Sequence, residues 1–157
     1  MLASALIARP ASRAVVLLDG AALGDDHTDE LADYLRDNSQ TELLHLAGNE
    51  LTDSGVEAIA SALSTCRVRR LSLASNHVQD GGALALAAAL ESGFAPEQLD
   101  LSDNMLADEG ATALVRSAAE GAPSLRWLDL RLNPLISDEG RQMCAAASVG
   151  ASFDLKL

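Results

Sequence analysis

Residues 71–78 read L-S-L-A-S-N-H-V and residues 99–106 read L-D-L-S-D-N-M-L, two octets with leucine at the first and third places, asparagine at the sixth and an apolar residue at the eighth. The same frame fits residues 44–51, L-H-L-A-G-N-E-L, and residues 128–135, L-D-L-R-L-N-P-L. Asn49, Asn76, Asn104 and Asn133 thus recur at a period of about 28 residues, and self-similarity on that scale marks stacked supersecondary units. Alternate leucines are the pattern of a strand buried on one face.

Working outward from each octet, Gly55, Gly82 and Gly110 open apolar patterns at helical spacing: Ile59 and Leu63, Leu86 and Leu90, Leu114 and Ala118. One unit is therefore strand, turn and helix. In the last unit Gly140 arrives one residue late, so an insertion falls near Ile136, with Leu135 expected in the apolar slot and Cys144 and Ser148 on the helix. Towards the N-terminus Val16, Leu18 and Leu23 fill the leucine slots of a degenerate repeat, with Ala21 in the asparagine place, His27 in the glycine place, and Leu31 and Leu35 on the helix. The expected organisation is one domain over 1–157: a half-repeat cap over 1–13 including Ile7, repeats over 14–40, 41–67, 68–95, 96–124 and 125–151, and a terminal strand over 152–157 carrying Leu155 and Leu157.

The residue types have physical reasons. Asparagine offers an acceptor and two donors, and a side chain of that kind can satisfy backbone groups in the turn where a strand ladder ends. Leaving such groups buried without partners costs about 1–3 kcal/mol each. Thr52 with Asp53, Asp80, Asp108 with Glu109, and Ser137 with Asp138 stand at helix starts, where capping of free N–H groups is expected.

The asparagine-anchored unit with its glycine resembles the ribonuclease-inhibitor-like class of leucine-rich repeats over about residues 14 to 157. That resemblance implies an α/β solenoid, a right-handed horseshoe segment with parallel strands on the concave side and helices on the convex side. Families of the class include inhibitors, GTPase regulators, immune sensors and subunits of large assemblies. The motif residues are the structural ones, so the resemblance speaks for fold more than for function.

Composition narrows the function classes. A formal net charge of −12 opposes nucleic acid and anionic membranes, both of which need a positive field, and favours a neutral or basic protein partner. Cys66 and Cys144 lack metal-ligand spacing and read as free thiols in a reducing compartment. No apolar run has transmembrane length, and Leu2 to Ala8 is too short for a secretory core. Arg9 and Arg13 without acids give the opening a composition shared with organelle transit peptides, although capping suits it better. An intracellular, cytoplasmic protein is expected.

The period-2 rule sends the residues between the core leucines to the concave face. The informative ones are His45, Arg70, Asp100, Trp127, Asp129, Arg131 and Lys156, with an apolar end formed by Val15, Leu17 and Leu43. Trp127 beside Asp129 and Arg131 has the character of an interface anchor, since Trp and Arg are enriched among binding hot spots. Asp100, Asp129 and Asp154 fall on successive strands, but no histidine accompanies them and Asp154 is out of register with the other two. No Ser-His-Asp order, H-E-x-x-H or phosphate loop is present, so no enzyme, cofactor or metal is expected.

The acidic helix with Asp29, Asp33 and Asp37 reads as a solvated face, and Arg67, Arg69 and Arg70 as a small basic knot. The primary expectation is a module that binds a protein or peptide on its concave face. The alternative is a structural subunit packed into a larger complex through its convex helices and ends, where Leu84 stands among alanines. A GTPase-activating role, implied by one family of the class, is a third, with no catalytic side chain to assign.

Overall fold

A computed structural model of the chain describes residues 14–157. The expected cap over 1–13, with Ile7, lies outside the described residues.

Six three-residue strands, β1 (Val15–Leu17), β2 (Leu43–His45), β3 (Arg70–Ser72), β4 (Gln98–Asp100), β5 (Trp127–Asp129) and β6 (Asp154–Lys156), form one parallel sheet in chain order. Five helices alternate with them: α1 (Thr28–Asp37, entered through a 3-10 turn over Asp25–His27), α2 (Asp53–Leu63), α3 (Asp80–Glu91), α4 (Asp108–Gly121) and α5 (Asp138–Ala147). Each helix packs on the next, and every helix lies on the same side of the sheet as the core. The result is an α/β leucine-rich-repeat solenoid.

Register follows from the leucines. Val16, Leu44, Leu71, Leu99, Leu128 and Leu155 are paired in one row across the sheet, and Leu44, Leu71, Leu99 and Leu128 are buried. A slip of one residue would turn that row to the surface, at a cost of about 1.5–3 kcal/mol for each leucine exposed. Leu46, Leu73, Leu101 and Leu130 form the next buried row, completed by Ile59, Leu63, Leu86, Leu90 and Leu114 from the helices.

The last repeat corrects the expectation for Leu135. That residue is 54% exposed, whereas Ile136 is 3% exposed and occupies the core. The inserted residue is the cause: Leu135 bridges the backbone of Ala107, and the chain then turns one place later, so Ile136 faces inward. Cys144 takes its expected core place on α5, and burial pushes its thiol pKa up, as it does for half-buried Cys66.

The asparagine expectation holds in detail. Asn76 Oδ1 accepts from the amides of Asn49 and Leu51 at 2.9 and 3.0 Å, while its Nδ2 donates to the carbonyls of Leu46 and Leu73 at 2.9 Å. Asn49, Asn104 and Asn133 repeat the arrangement, each binding the preceding unit through Leu18 and Leu23, Leu73 and Val78, and Leu101 and Leu106 respectively. All four are buried.

The helix-start carboxylates behave differently from expectation. Among the described residues only Ser137 caps its own helix, accepting from Gly140 N at 3.0 Å. Asp53, Asp80 and Asp108 instead accept the backbone amides of Gln79, Ala107 and Ser137 in the following repeat, at 2.7, 2.8 and 2.7 Å, and Asp25 does the same for Thr52. These aspartates join units to one another, because their side chains point along the solenoid into the space left by the next glycine. A Cβ on Gly110 would stand 2.5 Å from Asp80 Oδ1 and 2.7 Å from its Cα.

Candidate functional site

The sheet register arranges the residues between the leucines in rows. One row is Val15, Leu43, Arg70, Gln98, Trp127 and Asp154; the other is Leu17, His45, Ser72, Asp100, Asp129 and Lys156. His45, Arg70, Asp100, Trp127, Asp129 and Lys156 thus fall on the two rows without forming one cluster, and Arg131 lies in the turn beyond β5. Arg70 is exposed and makes no ion pair among the described residues, while its neighbour Arg69 pairs with Glu97 at 3.3 Å. His45 Nδ1 lies 3.5 Å from Asp19 Oδ2, towards the apolar end with exposed Val15 and Leu17.

The other candidates gather at the C-terminal end. Trp127 is half-buried between Gln98 and Asp154, so β6 lies beyond it. Asp129 differs from the exposed contact residue its position suggested: it is 0% exposed. Arg131 folds over it, with Nε 3.0 Å from both carboxylate oxygens and Nη2 2.5 Å from Oδ2, while the Arg131 amide donates to Oδ1 at 3.0 Å. Burial alone pushes the Asp129 carboxyl pKa up; the hydrogen bonds and charge of Arg131, aided by Lys156, outweigh it and hold the group below its ordinary value.

Asp129 is therefore a positioning group for Arg131, whose outer surface stays exposed. Asp100 beside it accepts from the Ser102 amide and hydroxyl at 3.0 and 2.7 Å, and Lys156 pairs with Asp154 at 2.6 Å. The end of the sheet presents an indole, a fixed guanidinium and flanking charges of both signs. Such a surface can hold apolar and polar groups of a partner in one orientation, since little side-chain entropy is left to lose.

A second feature was not foreseen. Beyond the ends of β3, β4 and β5 the turns run side by side and form an open, shallow cleft of about 1060 Å³, lined by His77, Met105, Leu132, Pro134, Arg141 and Leu157 among others. Met105 is 43% exposed and Leu132 72%. The signal lay in the octets: M and L at places between motif positions, where small or polar residues stand in the other units. Among the described residues no group of three or more His, Cys, Asp or Glu is placed to hold a metal ion, and no helix is long and apolar enough to cross a membrane.

A parallel sheet on one face, helices on the other and an asparagine in every turn define a repeat solenoid, a class that presents extended surfaces for protein–protein interaction. The family described as Leucine Rich repeat matches residues 42–60, 67–87, 97–115 and 121–143, together more than half of the chain, and the chain belongs to that family. Among solved structures it is similar to leiomodin-1 actin-binding site 2, with a TM-score of 0.73, 17% identity, and coverage of 92% of this chain and 84% of that one. At that identity the likeness is one of fold. Comparison with curated proteins by sequence gives no match.

Proposed function

We propose that the chain is a protein-interaction module which grips a partner protein or peptide on its sheet face, chiefly at the end formed by Trp127, Arg131, Asp100 and Lys156. The observation that carries this reading is that buried Asp129, two residues along β5 from the half-exposed indole, holds an exposed Arg131 in place. A fixed guanidinium and an indole at the same end of the sheet match the composition of binding hot spots. His45 and Arg70 extend the contact along the sheet. The net charge of −12 favours a neutral or basic partner over nucleic acid or an anionic membrane. Binding, with no catalytic step, is the whole of the proposed activity, in the cytoplasm.

Partner capture from native extract on immobilised protein tests the reading. Trp127→Ala is expected to abolish retention of the sheet-face partner while shifting Tm by no more than about 2 °C, as for a partly exposed side chain. Unchanged retention would count against it. The competing reading, packing into a larger complex through the helices, is favoured by one observation: Leu84 on α3 is 42% exposed among alanines. Loss of capture with Leu84→Asp and not with Trp127→Ala would establish that alternative. Actin, bound by the similar leiomodin domain, is the one purified protein to include beside the extract.

A further inference from the structure

The cleft beyond β3, β4 and β5 is set apart from the sheet face by three features. Its walls are rigid, since the turns beneath are tied by Asn76, Asn104 and Asn133, and the Met105 amide donates to the Val78 carbonyl at 2.8 Å. Its most exposed apolar side chain stands on a left-handed residue. The place before the asparagine has positive φ throughout: Gly48 at 65°, Ser75 at 54°, Asp103 at 55° and Leu132 at 60°. Glycine takes that conformation freely and aspartate tolerates it, whereas leucine is disfavoured there by crowding at Cβ. Leu132 is also 72% exposed. Neither packing nor local conformation accounts for leucine at this place, and an outlier of that kind points towards binding.

The third feature is charge. In a chain of net −12, the charged side chains lining the cleft are Arg131, Arg141 and Asp103. Arg131 is joined to Asp129, and Asp103 accepts from Ser75 Oγ at 2.8 Å. Half-buried Arg141 makes no ion pair or side-chain hydrogen bond among the described residues; Asp108 feels its charge without pairing to it. A guanidinium sharing the cleft with exposed Met105 and Leu132 lacks only a carboxylate.

We propose that this cleft docks a segment of a partner protein that presents an apolar side chain next to one carboxylate, the apolar group lying on Met105 and Leu132 and the carboxylate on Arg141. A strongly acidic segment is disfavoured by the overall charge, so a single acid beside an apolar anchor is the match. The surface is distinct from the one gripped around Trp127, and meets it only at Arg131.

The test is selection of a random heptapeptide display library on the full chain, with the enriched peptides synthesised and mapped by amide chemical shifts on ¹⁵N-labelled protein. Enriched peptides are expected to carry an apolar residue adjacent to Asp or Glu and to shift the amides of 75–77, 103–105, 131–133 and 135. Arg141→Gln should weaken them by roughly tenfold, as should exchanging the peptide's acid for its amide, the scale for losing one charge-assisted contact. Leu132→Gly should weaken them by about fivefold. That variant is expected to relieve the backbone, and its Tm, measured alongside, separates weaker binding from unfolding. Recovery of no peptide, enrichment of basic sequences, or affinity indifferent to Arg141→Gln and Leu132→Gly overturns the proposal. So does self-association of the wild type that Leu132→Gly abolishes, which would make the occupant a second copy. Shifts confined to β4 and β5 around Trp127 would overturn the cleft and leave the sheet-face reading standing; loss of the sheet-face partner in Trp127→Ala with the peptides still bound would separate the two surfaces.

Discussion

Two polar ladders hold this solenoid together, and they run in opposite directions. The buried asparagines reach back: Asn49, Asn76, Asn104 and Asn133 each bind backbone groups of the unit before their own. The aspartates at the helix starts reach forward: Asp25, Asp53, Asp80 and Asp108 each accept an amide of the unit after. The outermost described repeats differ along the same line. The first repeat has Ala21 in the asparagine place and His27 in the glycine place, yet it keeps Asp25, the residue that serves its successor. The last repeat keeps Asn133 and Gly140, the two places that receive or grip what precedes, whereas its Asp138 has no amide of a later unit to hold among the described residues.

The comparison breaks most severely at the buried ladder. Asn76→Leu would remove the acceptor of the Asn49 and Leu51 amides and the donor to Leu46 and Leu73. Two orphaned buried amides at about 1–3 kcal/mol each predict a loss of roughly 3–5 kcal/mol, or on the order of 10 °C in Tm for a chain of this size. Calorimetry checks this. A loss below about 1 kcal/mol would mean that the turns are held by leucine packing and that the ladder is secondary.

The forward ladder should yield less, and in a way that glycine reveals. Gly110→Ala brings a methyl against both the carboxylate and the Cα of Asp80, so about 2 kcal/mol of destabilisation is expected even though alanine is the better helix former. At Gly140 the three atoms nearest an added methyl all belong to the Asp108 side chain. Gly140→Ala should therefore be rescued by Asp108→Ala, and independent effects of the two changes would show that the carboxylate does not occupy the glycine's space. Acid separates the ladders as well. The Ser137 hydroxyl, and then its amide, hold the Asp108 carboxyl below its ordinary value in the folded chain. A depressed folded pKa contributes stability above the unfolded value, near about 4, that is lost as pH falls through the folded one. Asp108→Asn should flatten part of the acid limb of a stability–pH profile, while Asn76→Leu should leave its slope unchanged.

The contrast between the ladders is also the contrast between what could and could not be read from the residues. Asn76 and its equivalents stand inside an octet whose leucines have an obvious period, so both their place and their purpose were legible. Asp80 and Asp108 recur just as regularly, but a carboxylate at a helix start is so well explained by capping its own helix that the link to the next unit was hidden. Leu135 was assigned to the core by motif position, because nothing in sequence tells which residue of an enlarged turn faces inward; the structure gives that place to Ile136. At the site, alternation set Trp127 and Asp129 two places apart on one strand, with Arg131 in the turn beyond it. It could not show that Arg131 folds down on Asp129, which depends on side-chain conformation and not on periodicity. The cleft depends on three turns lying side by side, a tertiary fact to which Met105 and Leu132 gave only a faint clue.

The smallest effect probes the boundary between scaffold and surface, at the residue just before the last asparagine of the ladder. Leu132 adopts φ 60° in the place where Gly48 adopts 65°. Left-handed backbone costs a side-chain-bearing residue roughly 1–2 kcal/mol, and glycine returns part of the relief as greater freedom in the unfolded chain, about 0.5–1 kcal/mol. Leu132→Gly should therefore stabilise the protein by about 0.5–1 kcal/mol, raising Tm by roughly 2 °C. Asp103→Gly is the control at the equivalent turn: aspartate is at ease in this conformation and accepts a hydrogen bond from Ser75, so its removal should bring no gain. A destabilising Leu132→Gly would mean that the exposed side chain packs usefully on the turn after all, and would turn this residue from a surface feature that weakens the scaffold into part of the scaffold itself.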